Sequence, residues 1–558
     1  MKTLLFLLAI LTVTLLLTAS MFAQTQQWSA DFMYMQGNEL QKTIADDSGN
    51  VYITGESFQP TYPDAGYIAK YNSTGSRLWF HPYFGPFYNS STHKRTIPYS
   101  SIIDNSGNIY IAGSSDSSNY NTVKGFLAKY TPGGDTLFTR YAGINDSLGD
   151  VEWLSMKSDA AGNIYLGGYN KKNNPSRQSY LVAKYNSSGD LQWIKNQNPV
   201  NINQIFNVSF SLLLDNSNNI YISSTLQKNS SSSSVDIYTF KLNNAGTFQW
   251  ENYYDDSVGE SDNLSSAVLD ISGNLYIEGL SSITSPIKKE IVCYKINGIT
   301  GTRTWIYTVS GTGTIDDQAY NITAGISNDI YITGALNNNS TYDDGILVKL
   351  NASTGTEIWR NILSSPGLVA DIYTEVKVIS SGALYVTGAL NYGSASSIIQ
   401  IKRFNTSGDS LSSVNFNQGS QYAFPKAIIM GRSNSLILAG DDTRSNPNGH
   451  VFIVKYSVLT GIEAVNSSVP EKYSLSQNYP NPFNPATKIN FILPQDSKVS
   501  LTVFDLSGKV VGSLINDQSY TSGSHEIEFN AGNLSSGTYF YQLKAGDFTE
   551  TKKMLLIK

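Results

Sequence analysis

The chain has 558 residues, enough for several domains, with only 15% charged residues against 45 glycines and 36 tyrosines, a balance that suits an all-β protein rich in turns. Its formal charge of -6 and the absence of any basic cluster argue against a nucleic-acid partner. Cys293 is the only cysteine, so no intramolecular disulfide forms, and its strand-like surroundings with no nearby histidine favour a small buried side chain over a nucleophile.

Residues 1–23 read as a secretory signal: Lys2 supplies the positive start and residues 4–17 a short apolar run, with cleavage expected after Ala23. The run is shorter than the ~20 residues a spanning helix needs, so the mature chain is expected to be exported by the Sec translocon rather than anchored.

From residue 24 to 465 the sequence repeats itself. Gly162-Asn163-Ile164-Tyr165-Leu166-Gly167-Gly168 has close copies at 49–55, 107–113 and 273–279, and looser ones at 218–224, 328–334, 382–388 and 434–440. The central residues are Tyr52, Tyr110, Tyr165, Tyr221, Tyr276, Tyr331, Tyr385 and Ile437, spaced 52 to 58 residues apart. A fixed period of this size dictates the architecture. Each unit opens with two strands around a tight turn, as in Ser101 through Ile111, where Asn105-Ser106-Gly107 supplies the turn and Ile109, Tyr110 and Ile111 are expected to alternate faces. A second pair follows: a strand such as 125–130, a glycine turn, then a large aromatic four residues beyond the glycine (Trp79, Phe138, Trp193, Trp250, Trp305, Trp359). Four short antiparallel strands per unit make one propeller blade.

Trp28 carries the same aromatic signature with no third strand before it, while the eighth unit has its third strand (451–456) and almost nothing after. The N-terminal segment is therefore expected to supply the outer strand of the last blade and close the ring. Eight blades are expected, or seven if the degenerate last unit fails to form. The Asp-x-Ser-Gly-Asn turns lack the spaced acids and closing glutamate of a calcium loop and read as hairpins.

These units resemble the SBBP-type β-propeller repeat over residues 27–465. Ser223-Ser224 in unit four, Ser412 in unit seven and Ile437 in unit eight depart from its pattern. The resemblance implies a fold and no single activity.

A polar linker (466–471) leads to a second domain, 472–558, where Asn478-Tyr479-Pro480-Asn481-Pro482-Phe483-Asn484-Pro485 precedes six alternating runs expected to form a small Ig-like β-sandwich. With the turn at Gly508, the Gly537-Thr538-Tyr539 element and the terminal Lys552-Lys553-Met554-Leu555-Leu556-Ile557-Lys558, the tail is similar to the type A C-terminal sorting domain of type IX secretion cargo. That resemblance implies a Bacteroidetes-like source, engagement of the type IX outer-membrane machinery, and release or display at the cell surface.

No catalytic motif is present: His81, His93, His450 and His525 have no metal spacing, and neither a Walker sequence nor a Gly-x-Ser-x-Gly element occurs. No cofactor is expected, with Ca²⁺ the one ion that paired carboxylates suit. Alternate connections in an up-and-down blade share a face, so the variable strand 2–3 and blade-to-blade loops gather at one end, the usual place for recognition. There the sequence sets Tyr83, Phe84, Phe87, Tyr88, Tyr253, Tyr254, Asp255, Asp256, Asp316, Asp317, Tyr342, Asp343, Asp344, Asp441 and Asp442. Aromatics with carboxylates suit a glycan or a peptide. The expected function is a monomeric, non-catalytic binding or adhesion module for glycan or protein. The alternatives are an extracellular lyase or hydrolase using those carboxylates, and an inert structural surface protein. A quinone-dependent dehydrogenase shares the eight blades and the Thr-Gly-x-x-x-Trp turns, but no quinone-site motif is seen.

Overall fold

In the computed structural model the described residues run from 25 to 557, apart from 34–36, 60–61, 86–94, 117–122, 143–147, 174–175, 199–203, 228–234, 255–260, 282–287, 328, 340–341, 366–368, 380, 393, 395–396, 417–422, 432–434, 443–448, 458–472, 476, 479, 494–496, 521–522 and 547. The signal segment thus lies outside the described residues. The chain divides into two compact units, 1–459 and 460–558.

Among the described residues, unit one holds eight four-stranded antiparallel sheets. The first is Gly37–Ala45, Val51–Gln59, Tyr62–Tyr71 and Arg77–Tyr83, and six more follow in the same up-and-down order. The eighth combines Ala423–Gly431, Ser435–Asp442 and His450–Ser457 with the N-terminal strand Thr25–Phe32, which pairs antiparallel to His450–Ser457. A shared core of Phe32, Leu40, Ile53, Tyr67, Ile437, Val451 and Ile453 joins the eighth sheet to the first. The sheets therefore form a closed, propeller-like ring whose first strands lie beside one another at the centre.

The second strand alternates faces as expected, Tyr110 packing toward the third sheet and Ile109 and Ile111 toward the first, but both faces are buried. Ile109, Tyr110 and Ile111 are all fully buried, as are their counterparts Ile164, Tyr165 and Leu166. Each second strand is sandwiched between two neighbouring sheets, so both of its faces are interior.

The repeated residues act as a staple between sheets. In the first sheet Lys70 Nζ and Trp79 Nε1 both donate to the Pro132 carbonyl, in the 3–4 turn of the second sheet, at 2.9 and 3.2 Å. Lys241 and Trp250 do the same to Gly298, Lys295 and Trp305 to Ala352, and Lys349 and Trp359 to Thr406. The strand-two tyrosine lies under the lysine ammonium, 4.6 Å away for Lys241 over Tyr221 and 5.2 Å for Lys295 over Tyr276, a cation–π contact. The turn glycine packs flat on the preceding sheet's tryptophan: a Cβ on Gly301 (φ 73°) would lie 2.6 Å from the Trp250 ring. Phe138 lacks an indole N–H, and there Tyr110 and Lys129 alone reach the Ser187 carbonyl, both at 3.2 Å.

The ring closes with the same device. Trp28 from the N-terminal strand and Lys455 from the eighth sheet donate to the Ser73 carbonyl of the first sheet, at 2.9 and 3.2 Å.

The Asp-x-Ser-Gly-Asn turns are hairpins whose aspartates are fully occupied internally. Asp46 accepts from the Ser48 and Asn50 backbone N–H groups, from the Asn50 side chain and from the Tyr52 hydroxyl, all within 3.0 Å. The closing glycine of the motif answers a bulge in each first strand: a Cβ on Gly55 would meet the Glu39 carbonyl at 2.0 Å. Unit four escapes this constraint because its first strand is irregular from Phe206 to Phe210, and Ser224 there donates to the Ser209 carbonyl.

Unit two contains two sheets, one of Ser474–Leu475, Ala486–Leu493 and Gly523–Asn530, the other of Val510–Tyr520, Ser497–Phe504, Gly537–Ala545 and Phe548–Leu556. They enclose a core that includes Ile489, Phe491, Leu501, Val503, Tyr541, Leu543 and Met554.

Replacing Trp28 by Ala removes a ring-closing hydrogen bond and the surface on which Gly75 packs. The half-buried position puts the loss at the lower end of the ~3–5 kcal/mol typical of Trp→Ala. Deleting 24–36 lowers the melting temperature further, and an unchanged value in either variant contradicts closure by this strand. A second expectation concerns Glu278, fully buried opposite Cys293, with neither carboxylate oxygen hydrogen-bonded among the described residues. Burial holds its carboxyl well above the ordinary range. Below the unfolded pKa the group is neutral in both states. As pH rises toward the folded pKa, the unfolded chain ionises and the folded chain does not, so stability falls. Glu278→Thr, the residue that Thr54, Thr333 and Thr387 place in this slot, therefore stabilises near pH 8 more than near pH 4. Denaturant melts should show a difference of at least about 1.4 kcal/mol, the equivalent of one pKa unit.

Candidate functional site

In every sheet of the ring the 1–2 and 3–4 turns share one end, and the strand 2–3 and sheet-to-sheet connections share the other. At the latter end the bulged first strands bring polar and aromatic groups from several sheets together.

One group surrounds Arg95. Its guanidinium forms a bidentate pair with the nearly inaccessible Glu56, at 2.8 and 2.9 Å. Burial nonetheless raises the Glu56 carboxyl, outweighing the pull of Arg95. Tyr99 lies in the field of Glu152, Arg95 and Glu56. Glu152, on the first strand of the third sheet, accepts from the Tyr169 hydroxyl, and burial followed by the charge of Asp116 raises its carboxyl. Asp116 is itself raised by burial and by Asp150 and Glu56, against the pull of Arg95. Carboxyls pushed upward beside one another, tyrosines and an arginine are the composition in which proton transfer or polar ligand binding occurs.

A second group spans sheets six to eight. Tyr320, Tyr392 and Phe424, all half-buried, converge with ring centroids 5.9 Å (Tyr320–Phe424) and 5.8 Å (Tyr392–Phe424) apart. Tyr320 donates to Gln318, which donates to Asp343. Between the two groups, Lys426 pairs with Glu39 and Asp441 and donates to the Leu40 carbonyl, latching the eighth sheet to the first.

The residues singled out from sequence fall differently. Tyr88, Phe87, Asp255 and Asp256 lie outside the described residues. Tyr83 is not on a free loop: it ends a fourth strand, packs on Phe126 at 4.6 Å and shares a hydrogen bond with Tyr141. Tyr253 and Tyr254 likewise end the strand Phe248–Tyr254, and Tyr254, 1% exposed, stacks on Tyr294 at 4.7 Å. Tyr253 leans on Tyr238. Asp317 is buried, accepts from the Asn337 and Gly311 N–H groups and pairs with Lys288 at 3.2 Å. Its neighbour Asp316 caps the Lys289 N–H.

Tyr342, Asp343 and Asp344 begin the strand Tyr342–Asn351, paired across a tight hairpin, where a variable loop was expected. As successive strand residues, Asp343 and Asp344 point to opposite faces and bind Asn337 and Asn338 respectively, at 2.9 and 2.7 Å. Asp442 is fully buried beside Asp441. Among the described residues no group of three or more His, Cys, Asp or Glu side chains is placed to hold a metal ion. Tyr99, Tyr320 and Lys426 escaped sequence reading because they sit in first strands, which vary too much between units to stand out. The shared signal is their place in the bulge, two residues beyond the one whose carbonyl abuts the closing glycine.

In unit two the proline-rich run holds the chain's end. The Asn478 side chain binds the Pro480 carbonyl and Thr487, and its N–H donates to the Tyr541 hydroxyl. Phe483 bridges to Leu555 and Ile557 through backbone hydrogen bonds of 3.0 Å, and Asn481 accepts from the Leu555 N–H. Pro482, Asn484 and Pro485 complete this clasp, Pro485 accepting from the Ala531 N–H. Tyr539 binds the Ser535 carbonyl, and Gly508 (φ 81°) closes the Asp505 turn. Tyr479 lies outside the described residues.

Residues 477–558 match the family described as a secretion system C-terminal sorting domain. The tail thus directs the chain to the type IX secretion machinery, for secretion or display at the surface of Bacteroidetes-type bacteria. None of the curated proteins matches the chain. Similar solved structures include a quinohemoprotein alcohol dehydrogenase from Comamonas testosteroni (9% identity, 78% of this chain and 77% of that one, TM-score 0.46). Others are the WD40 domain of SCAP from fission yeast (8%, 78% and 98%, 0.40) and the β-propeller domain of the Trilobed protease from Pyrococcus furiosus (8%, 69% and 95%, 0.35).

Proposed function

We propose that this protein is an eight-bladed β-propeller of SBBP-type repeats, carried to the cell exterior by an Ig-like sorting domain, whose loop end binds saccharide without transforming it. The observation that supports this reading is the convergence of Tyr320, Tyr392 and Phe424 from three successive sheets beside Gln318 and Asp343. Aromatic faces pack on the apolar faces of sugar rings, while neighbouring amides and carboxylates take the hydroxyls.

A second reading is favoured by one feature, the Glu152–Tyr169 pair with Asp116. A carboxyl held protonated above its usual range is suited to donate a proton to a leaving group, and a neighbouring carboxylate to accept one. In that case the protein is an extracellular lyase or hydrolase.

Deleting 471–558 should leave the ring folded and the protein in the periplasm; its appearance in the medium or on the surface rejects the sorting role. A glycan screen on the exported chain separates the two functional readings. Saccharide binding without turnover, weakened about tenfold when Tyr320 and Phe424 are both replaced by Leu, is the expected result. Turnover that disappears in Glu152→Gln establishes the enzyme instead.

A further inference from the structure

The repeat array provides its own internal comparison. In each first strand one residue pairs in register with the strand-two tyrosine or its substitute, and this slot holds Ile44, Ile102, Leu213, Val268, Thr323 and Ile429 in six sheets. The aliphatic ones are partly buried against core clusters, which explains the preference. In the third and seventh sheets the slot holds Lys157 and Lys377. Two residues earlier a second slot, paired with the position two beyond that tyrosine, takes Ser100, Ser155, Ser211, Ser266, Asn321 and Ala427, but Lys42 in the first sheet and Glu375 in the seventh. An ammonium where the scaffold asks for an aliphatic or a small polar group has no packing role to explain it.

All three lysines are exposed, and all stand on first strands, so the space they open into is the centre of the ring. They come from sheets that are not adjacent, yet they sense one another: the protein closing around the centre of the ring, which limits hydration of the ammonium although its surface stays exposed, and then the like charges of Lys42 and Lys377, hold Lys157 below the ordinary lysine range. The carboxyl facing Lys42 and Lys377 is Glu375, which is raised by burial and turned to accept the Ile428 N–H of the next sheet. Even fully ionised, this one carboxylate leaves the three ammonium groups in excess. The cations are thus assembled against their own repulsion, as occurs where a bound anion offsets it.

We propose that Lys42, Lys157 and Lys377 form an axial site for an oxyanion, the carboxylate or sulfate group of an acidic saccharide. The saccharide part rests on the reading of the loop end given above; the oxyanion part rests on the lysines alone. Ammonium groups approaching from several sides suit a compact oxyanion with three or four acceptor lone pairs free.

The test is calorimetric titration of the full exported chain at low ionic strength with four probes: inorganic sulfate, a uronate oligosaccharide, a sulfated galactan oligosaccharide and a neutral glucan oligosaccharide. Lys157→Leu and Lys377→Thr install residues that other units carry in the same slot, and Lys42→Ser does so in the other. These variants are expected to fold and, with the repulsion relieved, to melt no lower than the parent. Saturable binding of sulfate and of one acidic oligosaccharide, weakened about tenfold or more by Lys157→Leu and lost in the triple variant, is expected. Which acidic oligosaccharide binds decides between carboxylate and sulfate. Sulfate binding that survives the triple variant, or absence of both sulfate and acidic-saccharide binding, overturns the site. Binding of the neutral glucan alone overturns it while leaving the saccharide-binding reading intact. Lysine-dependent sulfate binding with no saccharide bound keeps the oxyanion site and overturns the saccharide.

Discussion

The ring depends on one recurrent bond arrangement, in which a turn carbonyl of one sheet accepts from both a lysine and a tryptophan of the sheet before it. Each sheet's own ladder is local, and nothing in a four-stranded sheet obliges the next to sit at a given angle. The staple does. It anchors the outer part of one sheet, where Trp250 and Lys241 stand, to the turn around Gly298 in the next, while the tyrosine between them keeps the lysine desolvated and directed. Lysine is suited to this because its charge strengthens the bond to a neutral carbonyl while its stem covers apolar surface. The arrangement also explains the period of the sequence. Tyrosine, lysine, turn glycine and tryptophan are each required by the others, so they recur together while the connections between them drift.

Closure follows the same logic and is legible in the sequence. An isolated Trp28 with no third strand ahead of it, and an eighth unit with a third strand but no tryptophan, make a single unit only when joined. Its staple to Ser73 is chemically equivalent to the internal ones. Ile437 in place of tyrosine removes the aromatic cushion from that boundary, and the Lys426 latch to Glu39 and Asp441 adds a polar contact at its other end. At the seventh sheet, Arg403 and Ser412 stand where most units have lysine and tryptophan, so the indole donor is missing there, as it is at Phe138 of the second sheet. The ring is therefore not uniform in strength around its circumference.

Turn chemistry and strand pairing could be read from sequence because each depends on a few adjacent residues: aspartate, glycine and asparagine in the first turn, asparagine and glycine in the second. The proline-rich run was legible as a motif, though its role as a clasp on Leu555 and Ile557 needed the fold. What failed was inference about exposure. Tyr254 and Asp317 look like loop residues from their polar neighbours, yet both are almost wholly buried, because strands ending near the loop end are covered by the adjoining sheet. Long second and third strands in the first, third and sixth sheets also continue into the region expected to be loop, which turned Asp343 and Asp344 into ladder residues with fixed partners.

The first strands carry least of the repeat signature and most of the chemistry, for one physical reason. They make no staple and no shared turn carbonyl, and their bulge is imposed on the backbone by close approach to the strand-two glycine rather than by a particular side chain. Sequence is free to vary there at little cost to the ring. That freedom gathers Tyr99, Glu152, Tyr320, Phe424 and Lys426 toward the loop end, and Lys42, Lys157, Glu375 and Lys377 further along the axis. In a protein built by repetition, function is best sought where a unit departs from its siblings without any gain in packing. By that criterion the centre of the ring outranks the carboxylate pairs of the outer connections. Among the described residues those pairs are either occupied, like Asp317 by Lys288, or split across a strand, like Asp343 and Asp344.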